Sequence, residues 1–336
     1  MKNKLPYLIL LLLIVSPADA QITYWTDILN NGFKQATIVQ PSDYEGSVTC
    51  TLVRKLTLEK STKSVLYVHG FNDYFFQEEM ADRYIKAGYN FYAVDLRKYG
   101  RSWLANQKMN NVRDLAEYFA DIDTVLSIMK SEGSEKILLN GHSLGGLTLA
   151  LYADERNGKE LFDAIILNSP FFSLKIKSVV KKTIIPLIVK RAEKHPATSV
   201  DLEISKLYGE SLHKDAQGEW AYNLSWKPID IPAVNYGWIA AVSHGLTKLS
   251  QGLQINKPVL ILHSAKSVDE KKWSEILFTG DAVLDVEEIK LQSKNIEGQF
   301  SIQAFEGGMH DLILSKKLVR EEVYQTMFSW IKRNIK

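Results

Sequence analysis

Cysteine is nearly absent: Cys50 is the only one in 336 residues. One thiol cannot close an internal disulfide, and a cysteine zinc cluster or a redox pair is excluded with it. A chain of this length has no need of such staples, because one large α/β domain or two ordinary ones can bury a sufficient core. An excess of charge of either sign is also missing. Lys and Arg number 41 against 39 Asp and Glu, a formal net charge of +2, and no long basic block supports contact with nucleic acid. Hydrophobic residues make up 46% and charged residues 24%, as in a soluble globular protein. Internal repeats and low-complexity tracts are missing too.

The longest uninterrupted apolar run near the start, Leu8 to Val15, is far short of the roughly 20 residues that span a bilayer. Lys2 and Lys4 precede it and Ala18-Asp19-Ala20 follows, the charged start and small-residue exit of a secretion signal. An uncleaved membrane anchor is the competing reading, and the short run and small-residue exit count against it. The expectation is a signal peptide over residues 1–20, a mature chain from Gln21, and export to the periplasm or the extracellular space. No cysteine near the exit offers a site for lipid attachment. An exported chain without disulfides must rely on its core, which suits a bacterial enzyme better than a small extracellular module.

Short apolar runs then recur. Val48 to Leu58 alternates and is rich in β-branched residues, which predicts early strands. Ser64–Val68, Asn90–Val94, Lys136–Asn140, Ala164–Leu167, Pro258–Leu262 and Phe300–Phe305 are near-continuous runs of strand length, as in a parallel sheet buried on both faces. Helical patterns follow several of them: Gln77–Ala87, Val112–Lys130, Leu144–Ala153 and the closing Lys317–Arg333. The alternation predicts one doubly wound, mostly parallel α/β sheet over residues 21–336. It fails between about 171 and 252, where Trp220, Trp226, Tyr236 and Trp238 sit among scattered prolines. That stretch is too long for a plain loop, so an inserted cap or lid is expected there.

The strongest chemical signal is Gly141-His142-Ser143-Leu144-Gly145, with Gly146 after it. A buried strand runs into it and a helix runs out. A serine at such a turn is exposed above the sheet in a strained conformation, and flanking glycines let the backbone approach closely. The helix that begins at Leu144 aims free N–H groups at the site. Acyl transfer at Ser143 needs a pair of oxyanion donors. The Leu144 amide is one candidate. The Phe71 amide, in the turn His69-Gly70-Phe71 after an earlier strand, is the other.

The general base is sought among seven histidines. His69 belongs to the turn, and His142 is expected to be packed. His195, His213 and His244 fall in the expected cap, and His263 ends a strand. His310, in Gly307-Gly308-Met309-His310-Asp311, is the one that comes late enough on a flexible turn before a closing helix. The acid is expected after the strand Pro258–Leu262, from Asp269, Asp281 or Asp285. Asp281 is preferred because Gly280-Asp281-Ala282-Val283 reads as the opening of a helix. Asp285 is second, and Asp269 lies in a charged run. An acid there would orient the His310 tautomer and stabilise its imidazolium.

These motifs, with Asp95-Leu96-Arg97-Lys98-Tyr99-Gly100-Arg101-Ser102, resemble the monoacylglycerol-lipase and lysophospholipase-like branch of the α/β-hydrolases, also called serine-aminopeptidase-like. The likeness runs from about Ser64 to the C-terminus. It implies an α/β-hydrolase fold with an eight-stranded-type sheet, a helical cap and ester hydrolysis by a Ser-His-Asp triad. Two departures stand out. Lys98-Tyr99 replaces the usual Gly-His, and an extended His263-Ser264-Ala265-Lys266-Ser267 segment replaces a short Gly-x-x-Asp turn. Asp95 and Arg97 read as structural loop residues.

The expected function is a serine carboxylic-ester hydrolase acting on a small-molecule ester or lipid-like substrate, with no metal and no organic cofactor. A peptidase or thioesterase on the same triad is the rival among enzymes, and an acidic pocket wall would favour capture of a free amino terminus. A non-catalytic binding protein on the same fold is the rival outside them. Lys175 to Arg191 places Ile176, Val179, Val180, Ile184 and Leu187 at helical spacing among six basic residues. Such a helix can rest on a membrane or lipid surface. The simpler reading, a cap helix with a solvated charged face, is preferred here.

Overall fold

A computed structural model describes residues 22–176, 180–200 and 205–335. The expected signal peptide over 1–20, the expected mature start at Gln21, and Lys177 and Val179 of the basic stretch lie outside the described residues.

Among the described residues, nine strands form the main sheet: β1 (Trp25–Thr26), β2 (Lys34–Asp43), β3 (Gly46–Lys55), β4 (Lys63–Val68), β5 (Asn90–Asp95), β6 (Lys136–His142), β7 (Ala164–Asn168), β8 (Val259–Ser264) and β9 (Phe300–Phe305). Their spatial order is β1-β2-β3-β5-β4-β6-β7-β8-β9. The six strands from β5 to β9 pair in parallel, and β1 to β3 pair antiparallel at one edge. The parallel strands were readable because both faces of β4 to β8 are buried. Val65 and Tyr67 face one core, and Leu66 and Val68 face the other. β9 closes the opposite edge and keeps Ser301 and Gln303 exposed.

The helices are α1 (Glu78–Lys86), α2 (Glu117–Ser131), α3 (Leu144–Glu155), α4 (Ile185–Ala192), α5 (Leu207–Leu212), α6 (Tyr236–Gln251), α7 (Val286–Ser293) and α8 (Lys317–Asn334). α1 and α8 cover one face, while α2, α3 and α6 cover the other. α2 starts five residues later than the pattern from Val112 suggests. The Glu117 carboxylate takes the amides of Arg113 (2.8 Å) and Asp114 (3.1 Å), fixing a non-helical turn before the helix. Val112 and Leu115 are still buried against the same core, which is why the periodicity runs on past the helix.

Within 171–252, α4 follows a π-helical turn at Val180–Ile184, and Ser199–Val200 pairs antiparallel with Val234–Asn235. α6 is a layer of the main core: Trp238, Ile239, Ala241, Val242 and Leu249 are buried in it. The segment before α6 is tied to the loops that follow β4 and β9. Trp220 Nε1 donates to the Leu314 carbonyl at 2.9 Å, the Asn223 amide to Tyr74 Oη at 2.7 Å, and Asn72 Nδ2 to the Pro228 carbonyl at 2.9 Å.

Candidate active site

The C-terminal ends of β4, β6, β8 and β9 bring the candidate residues together, as expected where parallel strands open into loops. β6 turns sharply into α3 at Ser143, whose backbone sits at φ +51°, ψ −117°. A non-glycine residue held at positive φ is strained, and here the strain lifts the side chain off the strand. The turn closes only with glycine at its ends. A Cβ on Gly145 would fall inside the His69 and Val68 carbonyl oxygens, and one on Gly141 would lie 2.8 Å from the Gly145 oxygen.

Ser143 Oγ lies 3.0 Å from His310 Nε2, and His310 Nδ1 lies 2.9 Å from Asp281 Oδ2. All three side chains are buried, Asp281 completely. Asp281 does not open a helix, as its sequence context suggests. It pairs in an isolated bridge with Ser267, and α7 starts only at Val286. The extended segment after β8 explains the arrangement. The chain leaves at Lys266, makes an excursion, and returns so that the Asp281 amide donates to the Lys266 carbonyl at 2.9 Å. Asp281 Oδ1 then takes the amides of Val283 and Leu284, both at 2.8 Å. Burial would raise this carboxyl, but the His310 ring and the two amides outweigh it and hold it below the ordinary carboxylate range. The other two candidates have different work. Asp285 caps α7 by accepting from the Glu287 amide at 3.0 Å, and Asp269 is exposed.

The Gly70 backbone packs against Ser143, close enough that a Cβ would lie 3.1 Å from Ser143 Cβ. Among the described residues no acceptor takes the amide of Phe71 or of Leu144. Two free N–H groups beside Ser143 are the ingredients of an oxyanion site. His69 supports the turn: its Nδ1 bonds the Gly70 carbonyl at 2.8 Å, and its Nε2 accepts from the Leu96 amide at 3.1 Å. Its tautomer is fixed by those two partners, and burial lowers its pKa.

The Asp95 loop is a scaffold. Asp95 accepts the amides of Phe75 and Arg101, each at 2.9 Å. Arg101 bridges the buried Asp27 (2.7 Å) and Asp95 (2.9 Å), and Arg97 forms a buried fork on Asp121. Lys98, at the departure from the Gly-His pattern, is fully buried with its Nζ 2.6 Å from Asp43 and 2.7 Å from Glu45. Tyr99 packs on His69 at 4.8 Å between ring centres.

A second polar cluster, which the sequence did not single out, adjoins the first. The His142 ring lies 5.0 Å from the His310 ring, and its Nδ1 is 3.6 Å from Asp73 and 3.9 Å from Asp311. These are ion-pair distances, too long for hydrogen bonds. Burial pushes the imidazole down, and the Asp311 and Asp73 carboxylates outweigh it, so its pKa is raised. Lys227 reaches in from the segment before α6 to pair with Asp73 at 2.8 Å. Tyr208 of α5 packs edge-on against His310 at 5.4 Å and accepts from the Asp311 amide at 3.0 Å. Asp73 and Asp311 stand close to His69-Gly70-Phe71 and beside His310, which was the available signal. Lys227 and Tyr208 carry none, because only the tertiary fold brings them there.

The family model described as serine aminopeptidase, S33, matches residues 59–316. A monoacylglycerol lipase of Mycolicibacterium smegmatis is 25% identical over 211 residues, 60% of this chain and 69% of that protein. A soluble variant of monoglyceride lipase from Saccharomyces cerevisiae superposes with a TM-score of 0.61 at 18% identity, over 94% of this chain and 95% of that one. A monoacylglycerol lipase of Paleococcus ferrophilus gives 0.60 at 19% identity, over 83% and 98%. The fold of these structures is the α/β-hydrolase sheet described above.

Proposed function

Since the chain belongs to the serine aminopeptidase S33 family of α/β-hydrolases, we propose that it hydrolyses carboxylic esters of lipid-like substrates with Ser143, His310 and Asp281 as its catalytic triad. The observation that carries this reading is the strained Ser143 at 3.0 Å from His310 Nε2, with Asp281 on the other ring nitrogen. Ser143 Oγ attacks the ester carbonyl as His310 Nε2 takes its proton. The Phe71 and Leu144 amides receive the developing oxyanion, each worth on the order of 10²–10³ in rate at comparable sites. His310 then gives the proton to the departing alkoxide oxygen. Water, deprotonated by His310, cleaves the acyl-enzyme, and Asp281 stabilises the imidazolium at both stages.

The leaving alcohol must lie on the His310 side. The His142 ring lies 5.0 Å from that of His310 and 3.6 Å from Asp73; Asp73 Oδ2 and both ring nitrogens of His142 are buried without hydrogen-bond partners, and the hydroxyls of a glycerol-like alcohol would satisfy them. The mycobacterial relative, a monoacylglycerol lipase, supports the same substrate class.

The decisive experiment is labelling with a fluorophosphonate beside hydrolysis of a monoacylglycerol. Ser143→Ala is expected to abolish labelling and to lower kcat by more than about 10⁴. Turnover that survives the substitution rejects Ser143 as nucleophile. Following the labelled band through cell fractions also tests export: a band outside the cytoplasm beginning at Gln21 is expected, and one confined to the cytoplasm and retaining Met1 overturns it. The outer face of α4 and of the π-helical turn before it completes the reading. Ile184 and Leu187 are 47% and 61% exposed beside Lys182, Lys190 and Arg191, a surface suited to an anionic lipid aggregate and tested by binding to anionic vesicles.

A further inference from the structure

β7 ends in a polar residue, Asn168, after a run of buried apolar ones. Its side chain is itself buried, and a buried amide needs partners for both its oxygen and its nitrogen. The register decides what it meets. Asn168 stands beside His142 of β6 on one side and Leu262 of β8 on the other, level with the turn that delivers Ser143. Its backbone carbonyl accepts the Ser143 amide at 3.0 Å. Its side chain serves the last loop: Nδ2 donates to Asp311 Oδ1 at 2.7 Å, and Oδ1 accepts from the Leu312 amide at 3.3 Å. One residue therefore holds Ser143 and both residues that follow His310.

His310 needs such a hold. Gly307 and Gly308 precede it, Gly307 at φ +69°, and glycines leave the backbone free to move. Asp281 fixes the ring at Nδ1, which sets its tautomer and tilt but not the distance of this loop from Ser143. Two other bonds act nearby. The Met309 amide donates to Ser315 Oγ at 2.9 Å, within the same loop, and the Asp311 amide donates to Tyr208 Oη at 3.0 Å, on α5 outside the main sheet. Of the partners Ser315, Tyr208 and Asn168, only Asn168 sits in the main sheet, in the strand paired with the one that leads into Ser143.

We propose that Asn168 is the positioning residue that sets the separation of Ser143 and His310, acting on the histidine loop through Asp311 and Leu312. The inference rests on the triad reading and adds to it the group that keeps hydroxyl and imidazole at reacting distance. Proton transfer requires that reach, and a displacement of about 1 Å costs on the order of 10² in rate.

The test compares kcat and KM for a 4-nitrophenyl ester at a temperature where circular dichroism shows each chain folded. Asn168→Ala releases Asp311 and Leu312 but keeps the carbonyl on Ser143. It is expected to lower kcat by about tenfold to a hundredfold with KM within about twofold, and fluorophosphonate labelling of Ser143 is expected to slow in step. Asn168→Ser takes its place should that variant fail to fold. Asn168→Asp sets two carboxylates against each other and is expected to lose at least as much. Adding Asp311→Asn rebuilds the amide–carboxylate bond with the partners exchanged, and is expected to recover kcat at least about tenfold over Asn168→Asp alone. A residue needed only for stability lowers the melting temperature and leaves kcat of the folded chain unchanged. That outcome overturns the proposal, as does a loss confined to KM or a double variant no better than Asn168→Asp. A wild-type chain that hydrolyses no ester and takes no fluorophosphonate overturns the triad reading itself and this inference with it, so the two failures are told apart.

Discussion

At the residue scale the sharpest dependence is on Asp281. Its Oδ1 is fully occupied by the Val283 and Leu284 amides, so only Oδ2 faces His310. In Asp281→Asn the Oδ1 position still needs an acceptor, which aims the amide N–H₂ at His310 Nδ1. That ring nitrogen must then accept, and the proton moves to Nε2, where Ser143 needs a base. The expected result is a fall in kcat of about 10⁴ with KM little changed. Loss of less than tenfold would mean that another acid serves His310. Ser143 and His310 were readable in the sequence because each is embedded in a glycine-marked turn whose geometry has few alternatives. Asp281 was readable only as one of three. What distinguishes it is an excursion from Lys266 that brings it back beside the end of β8, and nothing local to Gly280-Asp281-Ala282 encodes that return. Asp285 shows how such a carboxylate misleads, since a helix cap and a catalytic acid look alike in one dimension.

At the scale of elements, five of the six parallel strands, β4 to β8, were legible because burial on both faces forces continuous apolar runs. β2 was not, because Pro41 and Ser42 fall in the irregular stretch of its pairing with β3 and its outer face carries polar residues. The outer face of α4 is a different case: its pattern was visible, and the structure adds which residues point outward. Ile185 and Ala192 are buried, so the inward face needs neither Ile184 nor Leu187. Burying either exposed side chain in a lipid interface is worth up to about 1.5–3 kcal/mol, with the nearby lysines adding a salt-dependent share. Replacing Ile184 and Leu187 together by Asp is expected to weaken binding to anionic vesicles at least about tenfold, read by co-sedimentation, and to leave hydrolysis of a soluble ester unchanged. Equal binding by variant and wild type would return α4 to an ordinary solvated cap helix.

Across the whole molecule, the segment before α6 and the sheet meet at the buried Lys227–Asp73 pair, flanked by the Asn72–Pro228 and Tyr74–Asn223 bonds. No periodicity predicts it, because the partners are 154 positions apart. Burial pushes the Asp73 carboxyl up, yet Lys227, with His142 and His69, overrides that and holds it well below the ordinary carboxylate range. A depressed carboxylate contributes stability that is present above its unfolded pKa and is lost as pH falls through the folded one. In Lys227→Met the sign reverses. Asp73 keeps its burial and loses its main counter-charge, so its ionised form opposes folding at neutral pH, by about 3–5 kcal/mol for a broken buried pair. Protonation on acidification relieves that penalty in the variant while it removes stability from the wild type. The melting temperature of Lys227→Met is therefore expected to fall by at least about 5 °C at pH 7.5, with a clearly smaller deficit at pH 4. A deficit of equal size at both values would mean that the Lys227 stem contributes through packing alone, and that the charge pair does not hold this segment to the loop that follows β4.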